Sequence, residues 1–449
     1  MAMDAYADYA RRRDALAESL RAQPGGRLAL RKETSNLFRD RTGGHDRTLD
    51  VRAFDHVLGV DLEAGTVDAE GMTTYESLVA ATLAQGMLPA VVPQLKTITL
   101  GGAAAGVGIE ASSFRYGLVH DTLTEIEVLT GDARVLTCRP DNAHADLFHG
   151  FPNSYGTLGY ALRLGARAIR APPYVELAHR RFTRADDMLA ALFAACAGGA
   201  DFVDAVAFGA DEYYLNLGRF AASAPYTSDY TYAHVYYRSI REREIDYLTA
   251  ADFIWRWDTD WFWCSKNLGA QLPLLRRLYG RRRLGSRTYQ KIMRWNSRHK
   301  LTAWSDRLRG LHAESVIQDV DIPFEHAAQF MTFFQREIGI APVWLCPIIG
   351  SRAADRFPLY PLTRGRIHVN FGFWDVKRTR DAYPPGYFNR KIEREVTRLA
   401  GIKSLYSDSF YSREEFAQAY GGDAYRALKA RYDPGGALPD LYDKCVLRH

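Results

Sequence analysis

Hydrophobic and polar positions along the chain alternate with both strand and helix periods, which predicts an α+β protein. Residues 4–22 carry the spacing of an amphipathic helix, and Pro24-Gly25-Gly26 ends it. A helix pattern also occupies residues 74–85, and a turn between Gly65 and Gly71 predicts a hairpin. The strand patterns of this region lie at residues 27–31, 48–51, 56–61, 124–129, 134–138 and 160–169.

Pro172-Pro173 is the clearest linker in the sequence and separates this region from a second one. The later helix patterns lie at residues 184–197, 325–338, 388–399 and 413–431, and the later strand patterns at 315–323 and 342–349. We therefore expect an N-terminal helix, two domains and a C-terminal segment that returns to the first domain, with bounds at 1–26, 27–172, 173–400 and 401–449.

Composition indicates a folded protein and excludes a largely disordered one, because 47% of the 449 residues are hydrophobic and 25% are charged. The five cysteines are dispersed and none forms a CxxC pair, which favours reduced thiols over a disulfide framework or a metal site. Asp4 and Asp8 precede Arg11–Arg13, unlike a signal peptide, and the apolar run 188–200 is too short to span a bilayer. We expect a cytoplasmic protein, peripheral on the inner face of the cell membrane.

One segment, residues 261–305, is strongly basic. It contains eleven Lys and Arg residues and no Asp or Glu, whereas the net charge of the whole chain is only +5. Leu272, Leu278, Met293 and Trp295 are interleaved with the cations, as in a segment that binds an anionic membrane surface. No nucleic-acid-binding motif accompanies the cations, so we expect no nucleic acid partner. A solvated basic face is the alternative.

The most informative segment is the glycine-rich stretch at residues 93–117, PQLKTITLGGAAAGVGIEASSFRYG. Glycines at this density let the backbone approach a ligand closely, and successive exposed N–H groups bind anions. Ser112 and Ser113 add hydroxyl donors. The alternative is a small-residue helix or tight turn inside a core.

The order of residues in this stretch resembles the second flavin-contacting loop of the vanillyl-alcohol-oxidase/PCMH-type FAD-binding flavoproteins. Three further pieces follow the order of that family: residues 31–36, the strand–turn–strand at 124–134, and residues 146–159 with the pattern LF…GTLG. Lys32 and Glu33 stand where the family's first pyrophosphate loop has glycines.

The resemblance implies a two-subdomain FAD-binding domain at residues 27–172, followed by a substrate (cap) domain with an antiparallel sheet and flanking helices. It also implies which residues bind the cofactor. These are Lys32, Thr34, Ser35, Asn36, Pro93, Thr99, Gly101, Gly102, Gly106, Gly108, Ser112, Ser113, Tyr116, Gly117, Gly156, Thr157 and Gly159.

Within that superfamily, the chain resembles the delta-24 sterol reductase branch, whose members reduce a carbon–carbon double bond with NADPH. The matching segments are GVGIEASS (106–113), Gln318-Asp319, VWLCP (343–347), LYSDSFYSREEF (405–416) and PDLYDK (439–444). TSNLFR, residues 34–39, is similar to bacterial reductases of methylene-branched fatty acyl phospholipids. This resemblance implies a lipid substrate, NADPH as co-substrate and a lipid methyltransferase acting upstream.

Gly43-Gly44-His45 mimics the motif through which some family members bind FAD covalently. It follows Thr34-Ser35 late and lies only a few residues before the strand pattern at 48–51. We therefore interpret it as a turn with an exposed histidine and expect non-covalent FAD.

Alkene reduction requires a hydride and a proton, so the site needs a buried acid. Four tryptophans and two aspartates lie within residues 255–263; as a strand, this segment would present Asp258 and Asp260 on the face opposite the tryptophans. Asp260 is therefore a candidate acid, although a packed aromatic core with surface aspartates is an equal alternative. Tyr406 and Asp408, in a motif of the sterol branch, are rival donors, and Lys444 could stabilise negative charge on the reduced flavin.

Two other functions are compatible with these features. A flavin alcohol oxidase or dehydrogenase would use the same FAD domain with a base beside the hydroxyl carbon. A membrane-binding protein with a vestigial flavin site would use only the basic segment.

Overall fold

A computed structural model describes residues 2–22, 25–33, 38, 44–299, 306, 308–351 and 357–448. Its helices are α1 (Ala2–Arg21), α2 (Tyr75–Leu83), α3 (Leu100–Ala105), α4 (Ser113–Tyr116), α5 (Ala145–Gly150), α6 (Ala185–Cys196), α7 (Tyr236–Ser239), α8 (Ala250–Ile254), α9 (Pro273–Tyr279), α10 (Ser286–His299), α11 (Ala327–Glu337), α12 (Tyr387–Arg398), α13 (Arg413–Ala419) and α14 (Gly422–Tyr432). Its strands are β1 (Leu28–Arg31), β2 (Arg47–Asp50), β3 (Val57–Asp61), β4 (Thr66–Glu70), β5 (Met87–Pro89), β6 (Leu123–Leu129), β7 (Val135–Cys138), β8 (Tyr160–Arg170), β9 (Tyr174–Phe182), β10 (Phe202–Ala207), β11 (Tyr213–Ala221), β12 (Ile245–Thr249), β13 (His312–Pro323), β14 (Val343–Ile349), β15 (Ile367–Thr379) and β16 (Ile402–Lys403).

The first part of the chain forms two small sheets. β1 and β2 pair in parallel, and an antiparallel sheet has the order β3-β4-β8-β6-β7, with β5 also paired to β8. Helices α2 and α3 contribute Leu78, Val79 and Leu100 to the core beneath that sheet. The N-terminal helix α1 packs on the same unit, where the Tyr9 hydroxyl donates to Glu127 over 2.6 Å.

The second part is built on an eight-stranded antiparallel sheet with the order β12-β9-β11-β10-β14-β15-β13-β16. Alternate residues of its central strands point to opposite faces. Val320 and Phe371 belong to the face that packs against α6, α11 and α12, whereas Trp344 and Trp374 belong to the core shared with the first part of the chain. The α+β class with an antiparallel second sheet is thus confirmed.

A buried ion cluster joins the two parts. The Arg256 guanidinium donates to Glu110 over 3.2 Å and to Asp204 over 3.1 Å, and all three side chains are buried. Glu110 belongs to the glycine-rich stretch and Asp204 to β10, so the cluster fixes that stretch against the second sheet. Cys346, expected to be buried, is buried here and its thiol donates to the Glu110 carbonyl over 3.1 Å.

Three local expectations are corrected. The turn expected between Gly65 and Gly71 lies instead at residues 62–65, and residues 66–70 form β4. Residues 255–263 are a series of turns after α8 rather than a strand, and Asp258 and Asp260 are buried together with the tryptophans. The helix expected at 413–431 is broken into α13 and α14, because Gly421 at the break has a φ of +61°. Among the residues described, we find no helix that combines the length and the hydrophobicity required to span a bilayer.

Candidate active site

A cavity of about 560 Å³ lies where the two parts of the chain meet. Its walls come from the glycine-rich stretch, from the inner face of the second sheet and from the C-terminal segment, which contributes Pro439 and Lys444. Of the residues expected to bind the cofactor, the cavity wall includes Lys32, Pro93, Thr99, Gly101, Gly102, Gly106, Gly108, Gly156 and Gly159.

We call the part of the cavity wall formed by Thr99, Gly101, Gly102 and Gly106 the glycine wall. Its shape results from close backbone packing. Thr99 caps α3 by accepting a hydrogen bond from the Gly102 N–H over 3.1 Å. A Cβ at Gly101 would lie 2.7 Å from the carbonyl oxygen of Gly71, so no larger residue fits. A Cβ at Gly102 would meet only Thr99 Oγ1, at 2.8 Å, and Gly102 is exposed on the cavity side. Backbone at this point is therefore open to a ligand.

A second glycine turn packs against this wall. The Tyr155 N–H donates to the Ala105 carbonyl over 2.8 Å, and Gly156 and Gly159 follow with φ values of +76° and +143°. These backbone angles favour glycine. Lys444 Nζ donates to the Tyr155 carbonyl over 2.6 Å, which holds the C-terminal cation on the same wall.

Five other predicted contacts lie behind the wall, and their own contacts are structural. Ser112 Oγ donates to the Ala90 carbonyl, and Ser113 Oγ accepts from the Glu110 N–H. The remaining three are packed into turns and against a neighbouring guanidinium: Thr157 donates to the Ser154 carbonyl, a Cβ at Gly117 would meet Asp121 Oδ2 at 2.5 Å, and Tyr116 lies under Arg167. Their contact with a cofactor stays a prediction.

The predicted first pyrophosphate loop, residues 31–36, lies only partly within the described residues. Lys32 follows β1 and lines the cavity, whereas Thr34, Ser35 and Asn36 lie outside the described residues. His45 is exposed, as expected, and also lies on the cavity wall together with Gly44. The mode of flavin attachment therefore stays a prediction.

Tyr406 is held in the cavity wall by two side chains from the second sheet. Trp374 Nε1 donates to its hydroxyl oxygen over 2.9 Å, and Tyr406 is also hydrogen-bonded to the Asp319 carboxyl group. The indole N–H uses one lone pair of the phenol oxygen, and the other lone pair can accept a proton from the Asp319 carboxyl group. All three residues line the cavity.

Burial raises the pKa of Asp319 to about 7, against the opposing effect of its hydrogen bond with Tyr406. Asp321, two residues further along β13, also has a pKa raised by burial, to about 6. Asn370 Nδ2 donates to Asp321 over 2.7 Å and also contacts Asp319. The pair therefore places a carboxyl group that exchanges its proton near neutral pH at the wall of the cavity.

An aromatic wall adjoins this acid. Trp261 and Phe262 have φ values of +42° and +57°, a region that bulky residues rarely adopt. Phe262 stacks on Trp374 with a centroid distance of 4.1 Å, and Trp261 stacks on Tyr289 at 5.8 Å. Strained backbone of this kind often marks a functional site, and both residues line the cavity.

Asp260, predicted as a proton donor from the aromatic segment, is held in a buried ion pair. Its carboxylate accepts from Arg276 over 2.8 Å and from Ser265 Oγ over 2.8 Å, and it is not part of the cavity wall among the described residues. Burial raises the pKa of Asp260, while the Arg276 ion pair opposes that shift. Asp408 likewise lies off the wall and pairs with Arg448 at 3.2 Å.

These features fit FAD. The backbone at Gly102 and Gly106 lets an extended diphosphate-bearing ligand approach closely, and Lys444 adds a cation on the same wall. When bound, FAD supplies the hydride chemistry of an oxidoreductase.

Comparison with known proteins agrees with this geometry. Residues 8–139 match the family model described as an FAD binding domain. The chain contains an FAD-binding domain. The resemblance to PCMH-type flavoproteins inferred from the sequence is therefore confirmed, and the matched residues include the glycine wall of the cavity.

The similarity of this flavoprotein to full-length relatives extends beyond that domain. It is 28% identical to the Delta(24)-sterol reductase of Homo sapiens over 407 residues, which cover 86% of this chain and 75% of the relative. It is 24% identical to the Delta(24)-sterol reductase of Arabidopsis thaliana over 440 residues, 88% of this chain and 76% of the relative. Similarity to cytokinin dehydrogenase 9 of Oryza sativa subsp. japonica covers only 24% of the chain. The matches support an FAD-dependent oxidoreductase.

Asp319 was missed as a site residue by the sequence analysis. The similarity of Gln318-Asp319 to the sterol branch is the sequence feature that could have identified Asp319. Trp374 and Tyr155 gave no comparable signal, because each acts through a contact with a residue distant in sequence.

Proposed function

We propose that the protein reduces a carbon–carbon double bond of a lipid, with non-covalently bound FAD and with NADPH as the electron donor. The observation that carries the proposal is the position of the Asp319–Tyr406 pair. It faces the same cavity as the glycine wall, and aromatic side chains surround it. A hydride acceptor bound in the cavity can thus receive a proton from a group on the cavity wall.

The chain's own groups account for the proton. Asp319 holds a transferable proton near neutral pH, and the Tyr406 hydroxyl hydrogen-bonded to it can pass a proton to an alkene carbon. Asp319 then restores the proton on Tyr406, while the Trp374 N–H steadies the phenol oxygen. The Trp374 ring, which lines the cavity, can stabilise positive charge that develops at a branched carbon.

The shape and lining of the cavity support a lipid. Most of the lining side chains are apolar or aromatic, among them Phe38, Trp261, Phe262, Trp344 and Trp374. This aromatic part of the wall suits an aliphatic or sterol-like substrate better than a sugar. Relatives named Delta(24)-sterol reductase match most of the chain, which supports a reductase of an isolated lipid double bond.

The test separates two half-reactions. The purified yellow protein should bleach with NADPH under anaerobic conditions, and a lipid containing the correct alkene should restore the colour. Sterols with a side-chain double bond and phospholipids with a methylene-branched acyl chain should be offered separately. Bleaching by simple alcohols, with oxygen consumption, would instead identify an alcohol oxidase and contradict the proposal.

A further inference from the structure

The helix α9 and the residue before it expose a row of leucines. The exposed fractions are 59% for Leu272, 72% for Leu274 and 70% for Leu278. Trp295 on α10 is 53% exposed. All four side chains belong to one basic segment, residues 261–299. Leu274 and Leu278 lie one helical turn apart on α9, and we call the apolar surface of α9 the leucine face. Several large exposed apolar side chains in one segment mark an interaction surface.

The cations around the leucine face differ in their surroundings. Arg276 is buried in its ion pair with Asp260, and Lys266 pairs with Asp375 over 2.7 Å. Arg277, Arg282 and Arg283 are exposed and form no salt bridge with any residue in the described part of the chain. The face therefore presents uncompensated positive charge beside apolar side chains.

The helix that follows α9 in the chain, α10, reaches the cavity. Met293 on this helix is 40% exposed and also lines the cavity. The inner side of the helix is fixed to the glycine-rich stretch, because Gln290 Nε2 donates to Thr97 Oγ1 over 3.0 Å. Ser286 Oγ donates to Asp258 over 2.6 Å at the start of the same helix. A bilayer that binds α9 and α10 would therefore lie next to Met293, which is both exposed and part of the cavity wall.

We propose that α9, the Arg281–Arg283 turn and α10 dock onto an anionic lipid bilayer, with Met293 at the portal through which the lipid enters the cavity. This inference rests on the proposed function for the identity of the lipid, but docking itself does not. Leucines that enter the headgroup region and guanidinium groups that attract anionic lipids form the combination typical of interfacial helices. A nucleic acid would not use the leucines, and a second copy of this chain would bring the same positive charge to the contact.

The test is cosedimentation of the FAD-loaded full chain with vesicles of phosphatidylglycerol and phosphatidylcholine, compared with phosphatidylcholine alone. Arg277→Gln, Arg282→Gln and Arg283→Gln together should weaken binding to the anionic vesicles about a hundredfold, roughly fivefold for each guanidinium. Leu274→Asp with Leu278→Asp should weaken it by on the order of a hundredfold. High salt should reverse the binding of the parent protein partly, because the apolar contribution is not screened.

Matched controls use exposed residues remote from this face. Arg180→Gln, Arg181→Gln and Arg219→Gln remove three exposed charges from β9 and β11, and Leu62→Asp changes a 55% exposed leucine in the β3–β4 turn. Both controls should bind vesicles like the parent. Equal losses in control and test variants, equal binding to neutral vesicles, or binding only to a DNA duplex would overturn docking. A dimer that Leu274→Asp with Leu278→Asp dissociates would also overturn it.

Activity separates docking from the proposed function. The variant carrying Leu274→Asp and Leu278→Asp should reduce detergent-dispersed lipid at the parental rate and vesicle lipid more slowly, because neither leucine lines the cavity. Reduction in detergent without vesicle binding by the parent would overturn docking and leave the proposed function. Vesicle binding with no reduction of any lipid would overturn the proposed function and leave docking.

Discussion

Gly372 lies directly opposite Asp319 in the antiparallel pairing of β15 with β13. A Cβ at Gly372 would lie 2.7 Å from Asp319 Oδ1 and 2.5 Å from Trp374 Cη2. The absence of a side chain at this register position is what lets the carboxyl group and the indole ring occupy the same face of the sheet. Gly372 is thus a positioning residue for the acid pair.

Gly372→Ala should disturb the acid without removing it. The added methyl group must displace Trp374 or exclude water from Asp319, and poorer solvation of the carboxylate raises its pKa. We expect reoxidation of the flavin by the lipid substrate, which restores the yellow colour and is called recolouring below, to be slower. The pH dependence of its rate should shift to higher pH. Gly199→Ala is the control, because a Cβ there meets nothing within 4 Å. An unchanged pH profile in the Gly372 variant would refute the positioning role.

Asp319→Asn and Tyr406→Phe should each leave NADPH-driven bleaching near the parental rate and slow recolouring by on the order of a hundredfold, as expected for the loss of a general acid. In the parent, recolouring should also fall as the pH rises through about 7, because Asp319 then loses its proton. Stopped-flow absorbance of the flavin measures both half-reactions.

Asp408→Asn serves as the control for that experiment, since Asp408 pairs with Arg448 away from the cavity wall. Recolouring at the parental rate in both acid variants would locate the proton donor elsewhere.

The stability of the protein should carry a signature of the buried acid. The pKa of Asp319 is raised from 3.8 to about 7, so the native state binds this proton more tightly than the unfolded state. The contribution of the group to the free energy of unfolding is fully present below about pH 4 and is lost as the pH rises to about 7. The unfolding free energy of the parent relative to Asp319→Asn should therefore decrease over that range, measured by urea denaturation at a series of pH values.

Asp423→Asn, at a carboxylate whose side chain is 96% exposed, should show no comparable trend. A parent and an Asp319→Asn variant with parallel pH dependences would mean that Asp319 titrates normally in the native state.

Asp260→Asn should destabilise the fold rather than slow the chemistry. Arg276 is 5% exposed in its side chain, and loss of its partner leaves a buried charge unpaired, which costs about 3–5 kcal/mol. The matched variant is Asp229→Asn, which breaks the surface pair with Arg281 and should cost at most about 1 kcal/mol. Denaturant unfolding measures both, and a recolouring rate reduced in a fully folded Asp260→Asn variant would restore Asp260 as a candidate acid.

Gly102→Val should abolish flavin retention while the protein still folds. The added side chain points to the cavity and meets only Thr99 Oγ1 in the protein. Gly199→Val, at a position open to solvent, is the control. The flavin-to-protein ratio from the absorbance spectrum is the measurement, and an unchanged ratio would remove the glycine wall from the flavin site.

Acid precipitation of the parent should release all the flavin into the supernatant, because we expect non-covalent binding. Flavin that stays with the precipitated chain, and is released only in a His45→Ala variant, would show attachment through His45, which lies on the cavity wall.

The sequence could predict features whose cause is local. Helix α2 begins where Thr74 caps the Ser77 N–H, within the helix pattern expected at residues 74–85. The hairpin was expected as well, but its turn lies at residues 62–65, before the expected position. The glycine-rich stretch was recognisable because residue order within 25 positions specifies its turns. Helix 413–431 was mistaken for one helix because Gly421-Gly422 interrupts an otherwise continuous helical pattern, and only the backbone angle shows the break.

By itself, the sequence determined the α+β class, the FAD-binding stretch and the presence of Tyr406 in a site motif. Only the tertiary structure shows that the Asp319 carboxyl group lies beside Tyr406. Asp319, Trp374 and Tyr406 come from three separate strands or turns and meet because strand pairing and the alternation of side chains bring them to one face. Asp260 was separated from the site in the same way, since the turns at 255–263 direct it to Arg276. A carboxyl group's pKa depends on burial and on its neighbours, and neither is a property of the local sequence.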